Sequence, residues 1–525
     1  MSIINNIVGF VKKSAFAKIG KSDTLNMLVE TKDSNEHGFA IMLKPMPGYK
    51  TVTDKLKGKP QGLFRCSRSY DGKPGVYGVW GKSLYLIDKG VPVFIGELAG
   101  SGKVSFCETS GYGRNHVHLV VCDGVNLYAV DTELEPTLQM EYFMKHSPLL
   151  LPYAYPNSRE VRVKPSWIAY LYGYLVMGAD GTDIFYVSRH YPFESEDEIE
   201  KYDIFDLHGT DLDTNGEHTG YGYGHFFFSE WQPDNTITGC ANGSRFFTLG
   251  ERSFQVFSYQ SSKEIPFASP DTASQTIGIR GKNTLAQFGS QIFWLGSADM
   301  GGNTIYTMGG DASPQRISTD EIEDIISKFD KDSASAFCMR VGSHPMYVIS
   351  FPVDKVTLSY DIKEGGWVRL GSADGKGHEN HYRYSNAVFS RDDKLWLQGD
   401  GVLVEATDDY WYEHDGTPIT RKRVGGVTSS EHRPFKVNKV SVLTNNGDYA
   451  NYVDKSARIM MRYSKDGTTF EDIYTKSIGR AGQYGYDVTF RNLGKSTEFI
   501  VELSCSDNIP FALYGIDLEA IRTSK

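Results

Sequence analysis

Pairs of short branched and aromatic runs, joined across glycine turns, recur through the middle of this chain. Tyr174-Leu175-Val176-Met177 leads through Asp180-Gly181 to Ile184-Phe185-Tyr186-Val187. Val76 to Trp80 leads through Gly81 to Leu84-Tyr85-Leu86-Ile87, and Val117 to Val121 through Asp123-Gly124 to Leu127-Tyr128-Ala129-Val130. The same outline returns over 246–257, 292–308, 346–360 and 395–404. Asp-Gly or Gly between strand-like runs is a hairpin signal. One hairpin is marginal in water. Small sheets stacked around an axis bury both faces and leave only short edges exposed. The turns recur every 40 to 70 residues or so, and propeller blades repeat at roughly 40 to 50. No Trp-Asp dipeptide closes a unit, which sets the chain apart from WD40 repeats.

The expected fold is therefore all-β: a divergent β-propeller with a C-terminal β-sandwich and few helices. The expected division is an N-terminal arm with the first strands (1–59), the propeller (60–415) and the sandwich (416–525). The sandwich rests on apolar runs at Val437 to Val442, Ile459 to Tyr463, Tyr486 to Phe490, Phe499 to Leu503 and Phe511 to Ile516. It is expected to fold as its own unit from about Arg421. One helix is expected after Ser318-Thr319-Asp320-Glu321, with Ser318 as N-cap and Glu321 reaching back. Ile322, Ile325, Ile326 and Phe329 would share its inner face, packed on a blade or bridging two.

Composition limits function. Aromatic residues at 13% and 54 glycines suit strands and tight turns. The formal net charge of −10 argues against a surface that grips nucleic acid by neutralising phosphates. Cys66, Cys107, Cys122, Cys240, Cys338 and Cys505 are scattered without a Cys-x-x-Cys pair, which points to free buried thiols. Asn5-Asn6 and Lys12-Lys13 interrupt the first apolar residues, so no signal peptide is expected, and no apolar run is long enough to span a membrane. Lys12, Lys13, Lys18 and Lys21 make this arm locally basic, as a solvated or packing arm.

Several stretches imitate sites and fail on chemistry. Asp211, Asp213 and Asn215 open like an EF-hand loop, but Gly222 stands where the bidentate Glu belongs. Gly100-Ser101-Gly102-Lys103 lacks the first glycine of a phosphate loop and has Val104 where Ser or Thr must hold magnesium; it reads as a glycine bulge. Gly220 to Gly224 lacks the strand–helix context of a dinucleotide motif. His116 and His118, and likewise His378, Glu379 and His381, lack a full ligand set. Ser464-Lys465-Asp466-Gly467-Thr468-Thr469-Phe470 reads as a hairpin turn, one residue short of the sialidase-like Asp-box. No catalytic, metal or cofactor residues are assigned, and the chain is read as a non-enzyme. The longest irregular insert, about 190–235, carries Glu194, Glu196, Asp197, Glu198 and Glu200 ahead of the aromatic stretch Tyr221 to Trp231. It reads as an interaction loop or a solvated acidic flap.

The order of short segments is similar to that of the packaged-DNA stabilisation proteins of short-tailed bacteriophages, the tail hub or nozzle family. The segments are Asn26-Met27-Leu28, Ala99 to Ser105, Asp180-Gly181-Thr182-Asp183 with Phe185, Phe254 to Tyr259, Ile317 to Phe329, and Ser464 to Gly467. The resemblance covers most of the chain, with 207–229 as an addition. It implies a homo-oligomeric ring, a hexamer, in the virion tail. That ring would lie below the portal and head-to-tail adaptor and carry a needle, plug or fibre proteins. DNA would pass through without tight binding. The alternative is a propeller that binds or cleaves carbohydrate, its aromatics stacking on sugar rings; against it stands the missing carboxylate pair. A third reading is a cytoplasmic scaffold that forms no ring.

Overall fold

The computed structural model describes residues 2–522 except 6, 14–20, 32–40, 112–115, 147–148, 152–160, 194, 198–202, 207–225, 262–265, 271–273, 298–302, 311, 375, 431–432 and 448–456. Seven small antiparallel sheets follow one another and form the propeller. Blade 1 is built from Pro60–Cys66, Gly75–Trp80, Ser83–Asp88 and Val91–Glu97. Blade 2 has Ser105–Glu108, His118–Cys122, Leu127–Asp131 and Met144–His146, and blade 3 runs from Pro165–Leu171 to Phe226–Phe228. Blades 4 and 5 open at Thr236–Asn242 and Gly278–Ile279. Blade 6 holds Ser335–Val341, His344–Phe351, Val356–Asp361 and Gly366–Leu370. Every hairpin expected from the sequence forms the two middle strands of one blade. The opening Asp180-Gly181 is turn geometry: Gly181 sits at φ 70°, and the Thr182 hydroxyl donates to Ala179 O at 3.0 Å.

Blade 7 is assembled differently. Asn386–Phe389, Leu395–Gly399 and Val402–Thr407 take their fourth strand from Gly48–Thr53, near the other end of the chain. Blade 7 then packs on blade 1, where Trp80 Nε1 donates to Gly399 O at 2.9 Å and Gln398 Nε2 to Val79 O at 2.7 Å. This pairing puts Gly48–Thr53 on the propeller side of the division expected near residue 60.

The sandwich is also drawn from both ends. One sheet orders Met27–Thr31, Ile41–Pro45, Leu513–Arg522, Phe435–Thr444 and Val488–Ser496, with Ser2–Asn5 also on Leu513–Arg522. The other orders Lys21–Leu25, Arg421–Val424, Glu498–Cys505, Arg458–Ser464 and Tyr474–Ser477. Met27, Leu43, Val437, Val440, Met461, Phe490 and Leu503 are buried in one cluster between them. The segment expected to fold alone from about Arg421 thus shares its sheets and core with residues 2–45. The N-terminal residues form paired strands, and Ile7, Val8, Met27, Leu28, Val29 and Leu43 are buried in that core. Lys12–Lys13 pairs with Ser22 and Lys21, and Lys18 lies outside the described residues.

The helix spans Asp320–Ile326 and is capped one residue later than expected. Thr319 Oγ1 accepts from Ile322 N, while Ser318 Oγ donates to Glu323 Oε1 at 2.7 Å. Ile322 and Ile326 lie in a cluster with Phe293 and Leu295 of blade 5 and Tyr347 and Ile349 of blade 6, so the helix bridges two blades.

Candidate functional site

Propeller and sandwich meet in a polar seam built around Asn26. Its backbone takes φ 54°, a left-handed conformation that asparagine tolerates better than most residues. Its side chain fits between the two bodies. Nδ2 donates to Gly371 O at 2.8 Å and Thr420 O at 2.9 Å, and Oδ1 accepts from Gly371 N at 2.9 Å. Its N–H donates to Arg369 O at 2.9 Å, and its carbonyl accepts from Met46 N at 3.0 Å. Next to it, Leu25 bridges in parallel to Arg369, so the second sandwich sheet runs on into blade 6.

Cations stitch this seam. Arg369 pairs with Asp23 at 2.6 Å and with Glu379, and Lys422 reaches Glu379 at 3.1 Å. Arg423 is buried and donates to Ile7 O at 2.6 Å, Gly9 O at 2.8 Å and Thr24 Oγ1 at 2.6 Å. Burial pulls its pKa down to about 10, with Asp23 acting in the opposite direction. Buried Arg421 holds the carbonyls of Ile509 and Asp507. Breaking one member of such a network strands a buried charge, typically at about 3–5 kcal/mol. The seam is therefore rigid.

One side chain crosses the middle of the propeller. Phe64 of blade 1 stacks on Phe106 of blade 2 with centroids 5.6 Å apart. Lys103, between those blades, donates to Asn283 O at 3.2 Å beside blade 5 and to Ala336 O at 2.7 Å in blade 6. Those partners lie across the circle, so the side chain spans the axis. Enclosure of its ammonium lowers its pKa to about 8.

A cleft of about 350 Å³ opens beside the seam, lined by Asp374, His381, Arg383, Tyr384, Asp400 and His414 among others. Beneath it Glu413 accepts from Ser372 Oγ at 2.7 Å and Tyr384 OH at 2.8 Å, and Tyr49 and Tyr382 share a hydrogen bond at 2.7 Å. Burial raises the Glu413 pKa, and the two hydrogen bonds partly oppose it.

A family model described as "Phage_stabilise: Bacteriophage P22 Gp10, beta-propeller" matches residues 209–406. Over that stretch, less than half of the chain, the sequence is similar to the phage stabilisation β-propeller family. No curated protein matches. Solved structures similar to this chain include BBS1N in complex with ARL6DN, at 8% identity and TM-score 0.41, covering 69% of this chain and 96% of that one. A streptogramin B lyase matches at 8% identity and TM-score 0.38, covering 73% and 98%. The WD40 propeller domain of Doa1 matches at 8% and 0.34, covering 69% and 97%.

The sequence candidates take structural places. Residues 211–215 and 220–224 lie outside the described residues. Gly100 is no bulge: Ala99 N and Gly100 N donate to Asp123 Oδ2, which fastens the connection between blades 1 and 2. His116 pairs with Asp131 at 2.8 Å, and His118 Nδ1 sits 2.9 Å from Tyr191 OH. His378 lies 3.3 Å from Asp374, His381 contacts Asn380, and Glu379 belongs to the seam. No group of three metal-binding side chains forms among the described residues. Asp466 Oδ1 caps its turn by accepting from Thr468 N and Thr469 N, each at 2.8 Å. The cysteines are free, and burial pushes Cys66 and Cys240 up to about 12, which makes them poor nucleophiles. The described root of the 190–235 insert is packed, with Tyr191, Ile204 and Phe205 buried against blade 3. No described helix is long and apolar enough to cross a membrane. Sequence reasoning missed Arg421, Arg423 and the axial reach of Lys103; the basic Arg421-Lys422-Arg423 run was the available signal.

Proposed function

We propose that this phage structural protein forms a ring, a hexamer, that continues the DNA channel below the portal and its adaptor. There it retains the packaged genome and anchors a needle, plug or fibre. The observation that carries the reading is the stabilisation-family match over 209–406, on a propeller that Lys103 bridges from within. With Lys103 reaching across the inner strands, DNA would travel between copies rather than through one. A genome confined at high density pushes outward because phosphate repulsion is incompletely screened. A closure must resist that push without gripping the strand. The seam of buried arginines and the net charge of −10 suit both demands. Particles assembled without this protein should package DNA normally and then leak it. Particles that keep their genome, or that fail before packaging, would refute the closure role.

A further inference from the structure

Glu413 lies where the connector after blade 6 meets the segment leading from blade 7 into the sandwich, and it is 2% exposed. Its two oxygens have separate partners. Ser372 Oγ is 2.7 Å from Oε1, and Tyr384 OH is 2.8 Å from Oε2. The same Tyr384 hydroxyl sits 3.0 Å from His414 Nδ1. Tyr384 is buried, whereas His414 lines the cleft. The three groups form one file from the cleft wall to an enclosed carboxyl.

A tyrosine hydroxyl has a single hydrogen to donate. It cannot donate to an ionised Glu413 and to a bare Nδ1 at once. With a neutral imidazole, both contacts are hydrogen bonds in only two arrangements. In one, Glu413 is ionised, Tyr384 donates to it, and His414 carries its proton on Nδ1 and donates to Tyr384. In the other, Glu413 is protonated and donates to Tyr384, Tyr384 donates to Nδ1, and His414 carries its proton on Nε2. The two differ by one proton and by the direction of every bond in the file.

We infer that Tyr384 relays protons between the cleft and Glu413. A proton from water in the cleft binds His414 Nε2. Nδ1 gives its proton to the Tyr384 oxygen, and the former Tyr384 hydroxyl proton passes to Glu413 Oε2. Within the protein three bonds to hydrogen form and two break, the difference being the proton taken up. His414 ends neutral with its tautomer reversed. Ser372 keeps its bond to Oε1 throughout, so the junction of propeller and sandwich gains a proton without opening. Burial acts on both ends in the sense this needs. It raises the Glu413 carboxyl from 4.5 and lowers the His414 imidazole from 6.5, which favours the incoming proton on the carboxyl. The Arg383–Asp415 pair, at 2.9 Å, acts on both groups. Arg383 favours an ionised Glu413 and opposes an imidazolium, and Asp415 does the reverse for each. Beneath them Tyr49 and Tyr382 bond to each other, and burial keeps both hydroxyls neutral. Elsewhere in the cleft, Asp400 acts on His381, and Asp374 is held by His378.

Isotope labelling of glutamate carboxyl carbons and histidine ring nitrogens in the full chain reads both ends by NMR from about pH 8 to about pH 4. In the parent, Glu413 should protonate in the same step in which His414 passes from the Nδ1–H to the Nε2–H tautomer. The two signals should share one midpoint, with no imidazolium formed in that step. Tyr384→Phe removes one hydroxyl and leaves the Ser372 bond; His414 should then keep one tautomer until it becomes imidazolium. Glu413→Gln places an amide donor where the protonated carboxyl would donate, and should hold His414 as the Nε2–H tautomer at about pH 8. The relay is wrong if His414 becomes imidazolium while Glu413 stays ionised, or if it keeps one tautomer in the parent. It is also wrong if the tautomer still reverses in step with Glu413 in Tyr384→Phe. A Glu413→Gln chain that shows the Nδ1–H tautomer refutes it independently of whether Tyr384→Phe folds.

Discussion

The propeller and the sandwich are both antiparallel β structures, yet they are assembled from the sequence in opposite ways. Six blades are made from consecutive strands, so nearly all their pairings are local. Every strand of the first sandwich sheet except Phe435–Thr444 and Val488–Ser496 comes from the N-terminal 45 residues or the last ten described. Arg423 reaches Ile7 across 416 positions. Local pairings close small loops and form fast, whereas distant ones carry the full cost of loop closure. The propeller should therefore be the autonomous unit and the sandwich the dependent one.

Truncation breaks the comparison most severely. Residues 46–407 contain all seven blades with the closing strand, and should unfold cooperatively as an isolated fragment. Residues 428–525 lack three directly paired strands, Ser2–Asn5, Ile41–Pro45 and Arg421–Val424, and should show no cooperative transition, while adding residues 1–47 in trans should restore amide protection at 435–444. A cooperatively folded 428–525 fragment would abolish the asymmetry. Trp80→Ala comes next. It empties a fully buried site between blades 1 and 7 and orphans the Gly399 carbonyl, so about 3–5 kcal/mol should be lost in denaturant titration of the propeller. Asn26→Ala should cost about 3 kcal/mol, from buried partners left unpaired and a left-handed backbone. Its signature should be independent melting of the two bodies, and Asn26→Gly should recover only the backbone share, about 1 kcal/mol.

The smallest effect is a pH slope. Lys103 in the folded propeller titrates near 8, below the ordinary lysine value of 10.5. Between those values the unfolded chain binds more protons, so stability rises with pH across that window. Below about pH 8 both states are protonated and the burial penalty is constant. Lys103→Met should flatten the rise in melting temperature between about pH 8 and 10.5 relative to the parent. Parallel profiles for the two proteins would place the ammonium in water rather than across the axis.

What could be read in the sequence followed the same division. The middle hairpins announced themselves because turn and partner strands lie within a few residues, as at Asp180-Gly181 and Asp123-Gly124. The closing strand Gly48–Thr53 could not be matched to Val402–Thr407, since no local turn joins them. Met27 to Thr31 is short, and its apolar face has meaning only beside Val437 and Leu513. At the helix the capping pattern was recognised one residue early, because Ser318 and Thr319 both carry hydroxyls and only the backbone path decides which is outside the first turn. Asn26 and Lys103 lay within segments that resembled the stabilisation family. What each holds became visible only when distant strands were placed side by side.

The split origin of the sandwich also has a temporal meaning. During synthesis Ile7 leaves the ribosome 416 residues before Arg423. At cellular elongation rates of about 5–20 residues per second, that is a wait of roughly 20–80 s. For that interval Met27–Thr31 has Ile41–Pro45 beside it, but Lys21–Leu25 waits for Arg421–Val424 and Ser2–Asn5 for Leu513–Arg522, while blades 1 to 6 can form behind them. A prematurely terminated chain, even one with six finished blades, never acquires the strands that fasten its own beginning. Anchoring of the first strand therefore depends on synthesis reaching Leu513–Arg522.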